Sequence, residues 1–220
     1  EFILTYRPDV PIDEVATGEH WYANIAIDNA DLIDGVDGLA GGVGLIASVA
    51  FGIWFLLVGS IVDAIIAFSL AGALLGFLRF NFYPASIFMG DSGSLTVGLI
   101  ICVLGMRLIE FDAADIPAYM IHISKPIFVM AVLSYPLLDT FRIFVYRMIR
   151  GTSPFTADSN HLHHRLIKLG LNHAKAVIII YLFNIFLITY AVLIEGLSTS
   201  MVFILLALII LTIMGGLFLI

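Results

Sequence analysis

Six apolar stretches, separated by short polar segments, account for most of the chain. Each stretch is near the ~20 residues that an α-helix needs to cross a bilayer. The stretches lie at residues 39–59, 62–80, 93–109, 127–149, 174–194 and 198–220. The pattern therefore predicts an all-α fold, a polytopic transmembrane bundle of about six spanning helices.

The composition excludes a soluble domain of this size. Of the 220 residues, 61% are hydrophobic and 12% are charged, and the mean hydropathy is +1.07. Such a chain is typical of a helical membrane protein. The net charge of −7 does not favour a nucleic-acid partner. The single cysteine, Cys102, lies in an apolar stretch, so we expect a small buried side chain there.

The start of the chain differs from the rest. Residues 1–27 are polar and contain prolines, and we expect an irregular N-terminal segment there. Residues 28–220 are expected to form one membrane domain with polar loops at 28–38, 81–92 and 150–173. Because the chain begins at Glu1 without methionine or signal peptide, we expect a fragment of a longer protein.

Lysine and arginine predict the orientation in the membrane. Six of them lie between residues 142 and 175, whereas Arg107 and Lys125 on the other side are offset by neighbouring acids. Cytoplasmic loops are enriched in these residues, so the loop at 150–173 is expected in the cytoplasm. Two predicted spans separate each polar loop from the next. All three loops should therefore meet the cytoplasmic face.

The first polar loop carries aspartates at every third position, Asp28, Asp31, Asp34 and Asp37. This spacing places neighbouring carboxylates on one side of a helical turn. Their repulsion must be offset by water, a cation or protonation. Beside a bilayer such a cluster favours a functional site, with a solvated loop as the alternative.

The second polar loop ends in Asp91, directly before a predicted span. Ser92 and Ser94 could open that helix, with its N–H groups directed at an anion. The alternative is that Asp91 or Ser92 only caps the helix. Phe88 is interpreted either as a core residue or as an aromatic platform for a base.

The third polar loop contains His161, His163, His164 and Arg165. These side chains suit an anionic phosphate. A transition-metal site and a solvated loop are the alternatives, although no cysteine accompanies the histidines. Within the fourth stretch, the spacing of Asp139 and Arg142 favours an ion pair over a catalytic role.

Taken together, the loops supply carboxylates, basic anion contacts and a membrane face. They also suit a divalent cation, because magnesium takes one or two carboxylates plus substrate phosphates. This set suits phosphoryl transfer between a soluble diphosphate and a lipid phosphate, in which the protein mainly positions groups and offsets charge.

The segments LIDGVDGLAGG, RFNFYPASIFMGDSGSLTVG and SNHLHHRLIKLG occur in this order. In this order and spacing they resemble the polyprenyl-phosphate N-acetylhexosamine-1-phosphate transferase family. The His-Leu-His-His pattern is similar to the bacterial undecaprenyl-phosphate N-acetylglucosamine-1-phosphate transferase branch. The translocase branch of cell-wall synthesis instead has three consecutive histidines followed by Phe-Glu.

The resemblance implies transfer of a sugar-1-phosphate from a UDP-N-acetylhexosamine to a polyprenyl phosphate, with release of UMP. It implies magnesium, with manganese as the alternative, held by Asp91. The implied catalytic residues are Asp34, Asp37, Asn81, His163 and His164. The residues implied to bind the sugar nucleotide are Gly35, Phe88, His161 and Arg165, with Phe88 stacked on the uracil.

The resemblance also implies a setting. The site would face the cytoplasm from the bacterial inner membrane, and the reaction would initiate cell-envelope polysaccharide synthesis. A homodimer is among the expected partners, and nucleic acid is not.

Two features depart from the family pattern. The family has asparagine where this chain has Asp28 and Asp31, and its upstream pair of adjacent aspartates is not found in residues 1–27. A non-catalytic portion of the enzyme is therefore one alternative. A membrane carrier is another, although carriers place charge near the midplane and this chain places it at one face.

Overall fold

The computed structural model describes residues 37–149, 151, 166, 170–194 and 201. These residues belong to one compact unit, residues 35–220. The described part contains no strand, which confirms the all-α prediction. Its α-helices are α1 (Leu39–Leu57), α2 (Ile61–Asn81), α3 (Gly90–Glu110), α4 (Lys125–Val132), α5 (Ser134–Ile149) and α6 (His173–Leu193).

Four helices, α1, α2, α3 and α6, are long and apolar enough to cross a membrane. They correspond to four of the six predicted spans. The predicted span at 127–149 is instead divided into α4 and α5, and the predicted span at 198–220 lies outside the described residues, apart from Met201. The prediction of six spans is thus confirmed only for these four.

A proline accounts for the division of the fourth predicted span. Pro136 has no N–H to donate to the carbonyl of Val132, one helical turn earlier, so the helix is interrupted at Leu133. The side chain of Asn184 on α6 replaces the missing donor, with Nδ2 at 3.2 Å from the Val132 oxygen. Ser134 Oγ in turn donates to Asn184 Oδ1 at 3.1 Å.

Helix α1 lies at the centre of the bundle. It packs most extensively against α2, where small side chains allow a close approach, and it also contacts α3, α4 and α6. Its aromatic residues Phe51, Trp54 and Phe55 are buried in the main apolar core, together with Leu104 of α3. The buried positions on the facing side of α2 are Ala64, Ala67, Ala71 and Leu74.

The outer faces of α2 and α3 are apolar and exposed, as expected for helices that contact lipid. Leu75 on α2 and Leu95 and Leu99 on α3 are among these side chains. Cys102 also lies on the exposed side of α3, so the expectation that it is buried was wrong.

The connections define two ends of the bundle. One end contains the turn at 37–38, the loop at 82–89 and the start of α6. The other contains Gly59, the segment 111–124 with two short 3-10 helices, and the end of α6, where a ring nitrogen of His122 lies 3.2 Å from the Val192 carbonyl oxygen. The chain returns to the first end after α1 and α2, and again after α3 and the divided pair α4 and α5. This agrees with the even spacing that the sequence predicted, if the divided pair counts as one passage.

A buried acid stabilises the second end. Asp63 of α2 accepts two hydrogen bonds from Arg107 of α3, at 2.6 Å from Nε and 3.0 Å from Nη2. Ser60 Oγ donates to the same carboxylate at 2.6 Å. The two-point contact fixes the ends of α2 and α3 against each other.

Candidate functional site

The first and second polar loops of the sequence meet at one end of the bundle. The backbone N–H of Ala85 donates to Asp37 Oδ2 at 2.9 Å. The backbone N–H of Gly38 donates to Asn81 Oδ1 at 3.0 Å. These bonds join positions more than 40 residues apart and place the Asp37 carboxylate against the loop that leads to Asp91.

Asn81 connects the two loops through its side chain. Its Oδ1 accepts from Gly38, and its Nδ2 donates to the carbonyl of Ile87 at 2.8 Å. The residue is buried at the C-terminal end of α2. Since both ends of the amide bind backbone, its position is well suited to hold the loops together. Its predicted catalytic role stays a prediction.

The conformation of the first turn explains its glycine. Gly38 precedes α1 with a φ of +84°, in the left-handed region that glycine adopts without strain. A Cβ at this position would also lie 2.9 Å from Cδ2 of Phe82. The Asp-Gly pair therefore places a carboxylate on a turn that comes close to the second loop.

Tyr181 of α6 is a contact that the sequence did not predict. Its hydroxyl donates to the carbonyl of Gly38, 143 residues away in the sequence. The hydroxyl also occupies space beside Gly42 in which a Cβ would overlap it. The hydrophobic pattern does not distinguish a tyrosine within an apolar stretch. The one feature of the sequence that pointed to a close contact here was the pair of adjacent glycines, Gly41 and Gly42.

A second aromatic contact links α6 to the other loop. The rings of Tyr83 and His173 are stacked, with centroids 5.4 Å apart and an angle of 5° between the planes. Both residues are exposed, at the rim of the same end. Two basic residues are exposed close to these rings in the sequence. Arg79 lies in the last turn of α2, and Lys175 lies in the first turn of α6. This end of the described bundle therefore carries positive charge beside its carboxylates.

Asp91 lies in the first turn of α3, because that helix begins at Gly90 rather than at the predicted Gly93. The interpretation of Asp91 or Ser92 as the cap is wrong, since the N-cap position is Met89 and no side chain caps the helix. Asp91 is exposed, and its carboxylate accepts no hydrogen bond from the residues that the structure describes. A free carboxylate at the positive end of a helix is available to a cation that also contacts phosphates.

Phe88 lies in the second loop, and 52% of its surface is exposed. The interpretation of Phe88 as a core residue is therefore wrong. Because the ring is exposed, it is accessible to a base, and the role of Phe88 as an aromatic platform stays a prediction.

No three histidine, cysteine or acidic side chains come close enough to hold a metal within the described ranges. A cage built only from these protein ligands is thus not formed there. Magnesium needs less from the protein, since it binds one or two carboxylates together with substrate phosphates. Asp91 fits such a requirement.

The remaining predicted site residues lie outside the described residues. They are Asp34, Gly35, His161, His163, His164 and Arg165, with Asp28 and Asp31 before them. Their roles stay predictions. The interpretation of Asp139 as a structural ion-pair partner is confirmed, because Arg142 Nη2 lies 3.7 Å from its Oδ1 and both residues are buried.

Comparison with known proteins gives the same family as the motifs. Residues 21–109 match the model of glycosyl transferase family 4. A decaprenyl-phosphate N-acetylglucosaminephosphotransferase of Mycolicibacterium smegmatis is 40% identical over 175 residues, which cover 72% of this chain and 42% of the relative.

Two further relatives agree. A probable undecaprenyl-phosphate N-acetylglucosaminyl 1-phosphate transferase of Bacillus subtilis is 36% identical over 160 residues, which cover 72% of this chain and 42% of the relative. An undecaprenyl-phosphate alpha-N-acetylglucosaminyl 1-phosphate transferase of Escherichia coli is 28% identical over 174 residues, with 77% of this chain and 45% of the relative covered. The chain thus spans less than half the length of these relatives.

The apolar helices and these relatives make the chain a multi-pass membrane protein. The matching segment contains the Asp37–Gly38 turn, Asn81 and Asp91, which are the described parts of the site. Residues 21–109 therefore match glycosyl transferase family 4, and the chain is similar to the polyprenyl-phosphate N-acetylglucosamine-1-phosphate transferases that its three motifs resemble.

Proposed function

We propose that this chain takes part in the transfer of N-acetylglucosamine-1-phosphate from UDP-N-acetylglucosamine to a polyprenyl phosphate, with release of UMP. The observation that carries the proposal is the bonded contact between the Asp37–Gly38 turn and the loop before Asp91, at one end of a membrane bundle. It brings together two predicted site loops where a lipid phosphate and a soluble nucleotide could meet.

The reaction is a displacement at phosphorus. A phosphate oxygen of the lipid attacks the β-phosphorus of the sugar nucleotide, which carries the sugar. The bond from this phosphorus to the bridging oxygen breaks, and that oxygen leaves with UMP. The product is a polyprenyl diphosphate that carries the sugar. Most of the catalysis in such a step comes from orientation and from offsetting the negative charge.

The described residues divide these tasks. Asn81 and Ala85 orient the Asp37 carboxylate and the turn that carries it. Phe88 offers an exposed aromatic ring on which a uracil could stack. Arg79 and Lys175 supply positive charge at the same end, which favours the approach of an anionic substrate.

Asp91 is the residue that would hold magnesium, with manganese as the alternative cation. When bound, the cation would offset the charge of the diphosphate. The exposed carboxylate of Asp91 and its position at the start of α3 support this assignment. His161, His163, His164 and Arg165 would add contacts to phosphate, as the family resemblance implies.

The site is proposed to face the cytoplasm. UDP-sugars are soluble cytoplasmic substrates, and the excess of lysine and arginine between residues 142 and 175 favours this orientation. The product would then begin the assembly of a cell-envelope polysaccharide on its lipid carrier at the inner membrane. A homodimer stays part of the proposal.

The metal assignment is tested with Asp91→Asn in membranes that contain the intact protein. Labelled UDP-N-acetylglucosamine, polyprenyl phosphate and a magnesium titration are supplied, and the labelled lipid is measured. We expect the rate to fall by at least about a hundredfold, because the carboxylate charge that attracts the cation is lost.

The matched control is Glu110→Gln, an exposed acid at the opposite end of the same helix. We expect its rate and magnesium dependence to match the wild type. An unchanged magnesium-dependent rate for Asp91→Asn would remove Asp91 as the metal ligand. Uptake of solute by sealed vesicles, without any lipid label in the wild type, would favour a carrier instead.

A further inference from the structure

Besides the helical bond from the Gly42 N–H to the Gly38 carbonyl, at 2.9 Å, three contacts hold the Asp37–Gly38 turn. Asn81 accepts from the Gly38 N–H, Ala85 donates to the Asp37 carboxylate, and Tyr181 donates to the Gly38 carbonyl. The first two contacts come from α2 and the loop after it. The third contact alone comes from α6, which enters the bundle after the long third polar loop.

The position of Tyr181 is fixed by its surroundings. Its ring packs beside an apolar cluster in which Leu39 and Val43 of α1 meet Val177 and Ile180 of α6. Gly42 leaves room for the hydroxyl, since a Cβ there would overlap it. The tyrosine hydroxyl therefore reaches the turn across the surface of α1 at Gly42, where no side chain blocks it.

The carbonyl that Tyr181 binds belongs to the residue directly after Asp37. Gly38 has a φ of +84°, and the backbone of a glycine can adopt many conformations. The direction of the Asp37 side chain therefore depends on the hydrogen bonds that hold the Gly38 backbone. Removal of the hydroxyl would leave the Gly38 carbonyl with the backbone N–H of Gly42 but without its side-chain partner. The turn would then sample more than one orientation.

We propose that Tyr181 is a positioning residue, which acts through the Gly38 carbonyl to hold the Asp37 carboxylate at the reaction centre. The proposal rests on the proposed function. It makes α6 part of the catalytic framework, although none of the three motifs includes Tyr181. The stack of His173 on Tyr83 anchors the start of the same helix to the second loop.

The kinetic test is Tyr181→Phe, which removes only the hydroxyl. We expect kcat for lipid labelling to fall about tenfold, because displacement of a catalytic group costs rate in the transition state. KM for UDP-N-acetylglucosamine should stay within about twofold of the wild type. Tyr190→Phe on the same helix is the matched control, and its kcat should not change.

A double variant separates positioning from general loss of structure. If Tyr181 acts through Asp37, then Asp37→Asn and Asp37→Asn/Tyr181→Phe should have the same residual kcat. A second loss of about tenfold in the double variant would show that Tyr181 acts elsewhere and would overturn the proposal.

A labelling experiment tests the same proposal without reference to activity. Asp37→Cys is made in a Cys102→Ser background, and its reaction with a water-soluble maleimide is timed with and without Tyr181→Phe. We expect the phenylalanine to raise the labelling rate about threefold or more, since the turn opens more often. An equal rate would overturn the positioning role even if lipid labelling were normal. If Tyr181→Phe raised the maleimide rate but the wild type transferred no label to lipid, only the proposed transfer would be overturned.

Discussion

At the scale of single residues, the site depends on contacts between polar groups and glycines. Asp37 and Asp91 could be proposed from the sequence because they are acids at the ends of apolar stretches, and Asn81 could be proposed from the family resemblance. Tyr181 could not, because it lies within an apolar stretch and its partner is 143 residues away. Residue type indicated which chemistry was available, but only the structure gave the partners.

The fit of Tyr181 against Gly42 gives a prediction of its own. Gly42→Ala should lower stability by about 1–3 kcal/mol, because the new methyl group overlaps the tyrosine hydroxyl. Thermal unfolding of the detergent-solubilised protein measures this change. In a Tyr181→Ala background the same substitution should cost little, because the space is then empty.

Gly76→Ala is the matched control for this experiment. A Cβ at Gly76 of α2 meets nothing within 4 Å. Alanine should therefore be neutral there or stabilise the helix by about 0.5–1 kcal/mol. If Gly42→Ala and Gly76→Ala behaved alike, the close contact between Tyr181 and α1 would be refuted.

At the scale of the elements, the main difference from the sequence prediction is the divided span. A hydropathy scale predicts one continuous span at 127–149, because it scores side chains and ignores the backbone N–H that a proline lacks. The interruption at Leu133 follows from Pro136, and Asn184 supplies the substitute hydrogen bond from another helix. Membrane helices tolerate proline where neighbouring groups satisfy the freed carbonyl.

Because Asn184 replaces the donor that Pro136 lacks, the effects of substituting Asn184 and Pro136 should be coupled. Asn184→Leu should destabilise the protein by about 1–3 kcal/mol, because the buried Val132 carbonyl and Ser134 hydroxyl lose their partner. In a Pro136→Ala background the cost should be smaller, since the alanine would bring a backbone N–H for the Val132 carbonyl. Thermal unfolding of the four proteins measures both values. Equal costs in the two backgrounds would contradict the account.

At the scale of the whole molecule, the sequence predicted more of the arrangement than of the contacts. An even number of spans between polar loops placed those loops at one end, and the described contacts of Asp37, Asn81 and Tyr83 agree. Hydropathy did not predict that α1 lies at the centre, since all the stretches are similarly apolar. Its aromatic residues are buried because several helices surround it.

Cysteines introduced at the two ends of the bundle should react with a membrane-impermeant maleimide from opposite sides of the membrane. In a Cys102→Ser background, Ser86→Cys should resist a membrane-impermeant maleimide in intact cells and react in inverted vesicles. Asp115→Cys, in the segment at the other end, should react in intact cells and resist in inverted vesicles. Labelling of both positions from the same side would contradict the topology on which the proposed cytoplasmic site depends.

The most direct test of the central claim follows the phosphorus atom itself. Membranes that contain the intact protein are supplied with polyprenyl phosphate, magnesium and UDP-N-acetylglucosamine that is radiolabelled at the β-phosphate. Transfer of the sugar-1-phosphate predicts that the label enters the lipid and that unlabelled UMP is released. Recovery of the label in soluble UDP, with the sugar on the lipid, would contradict the proposed reaction.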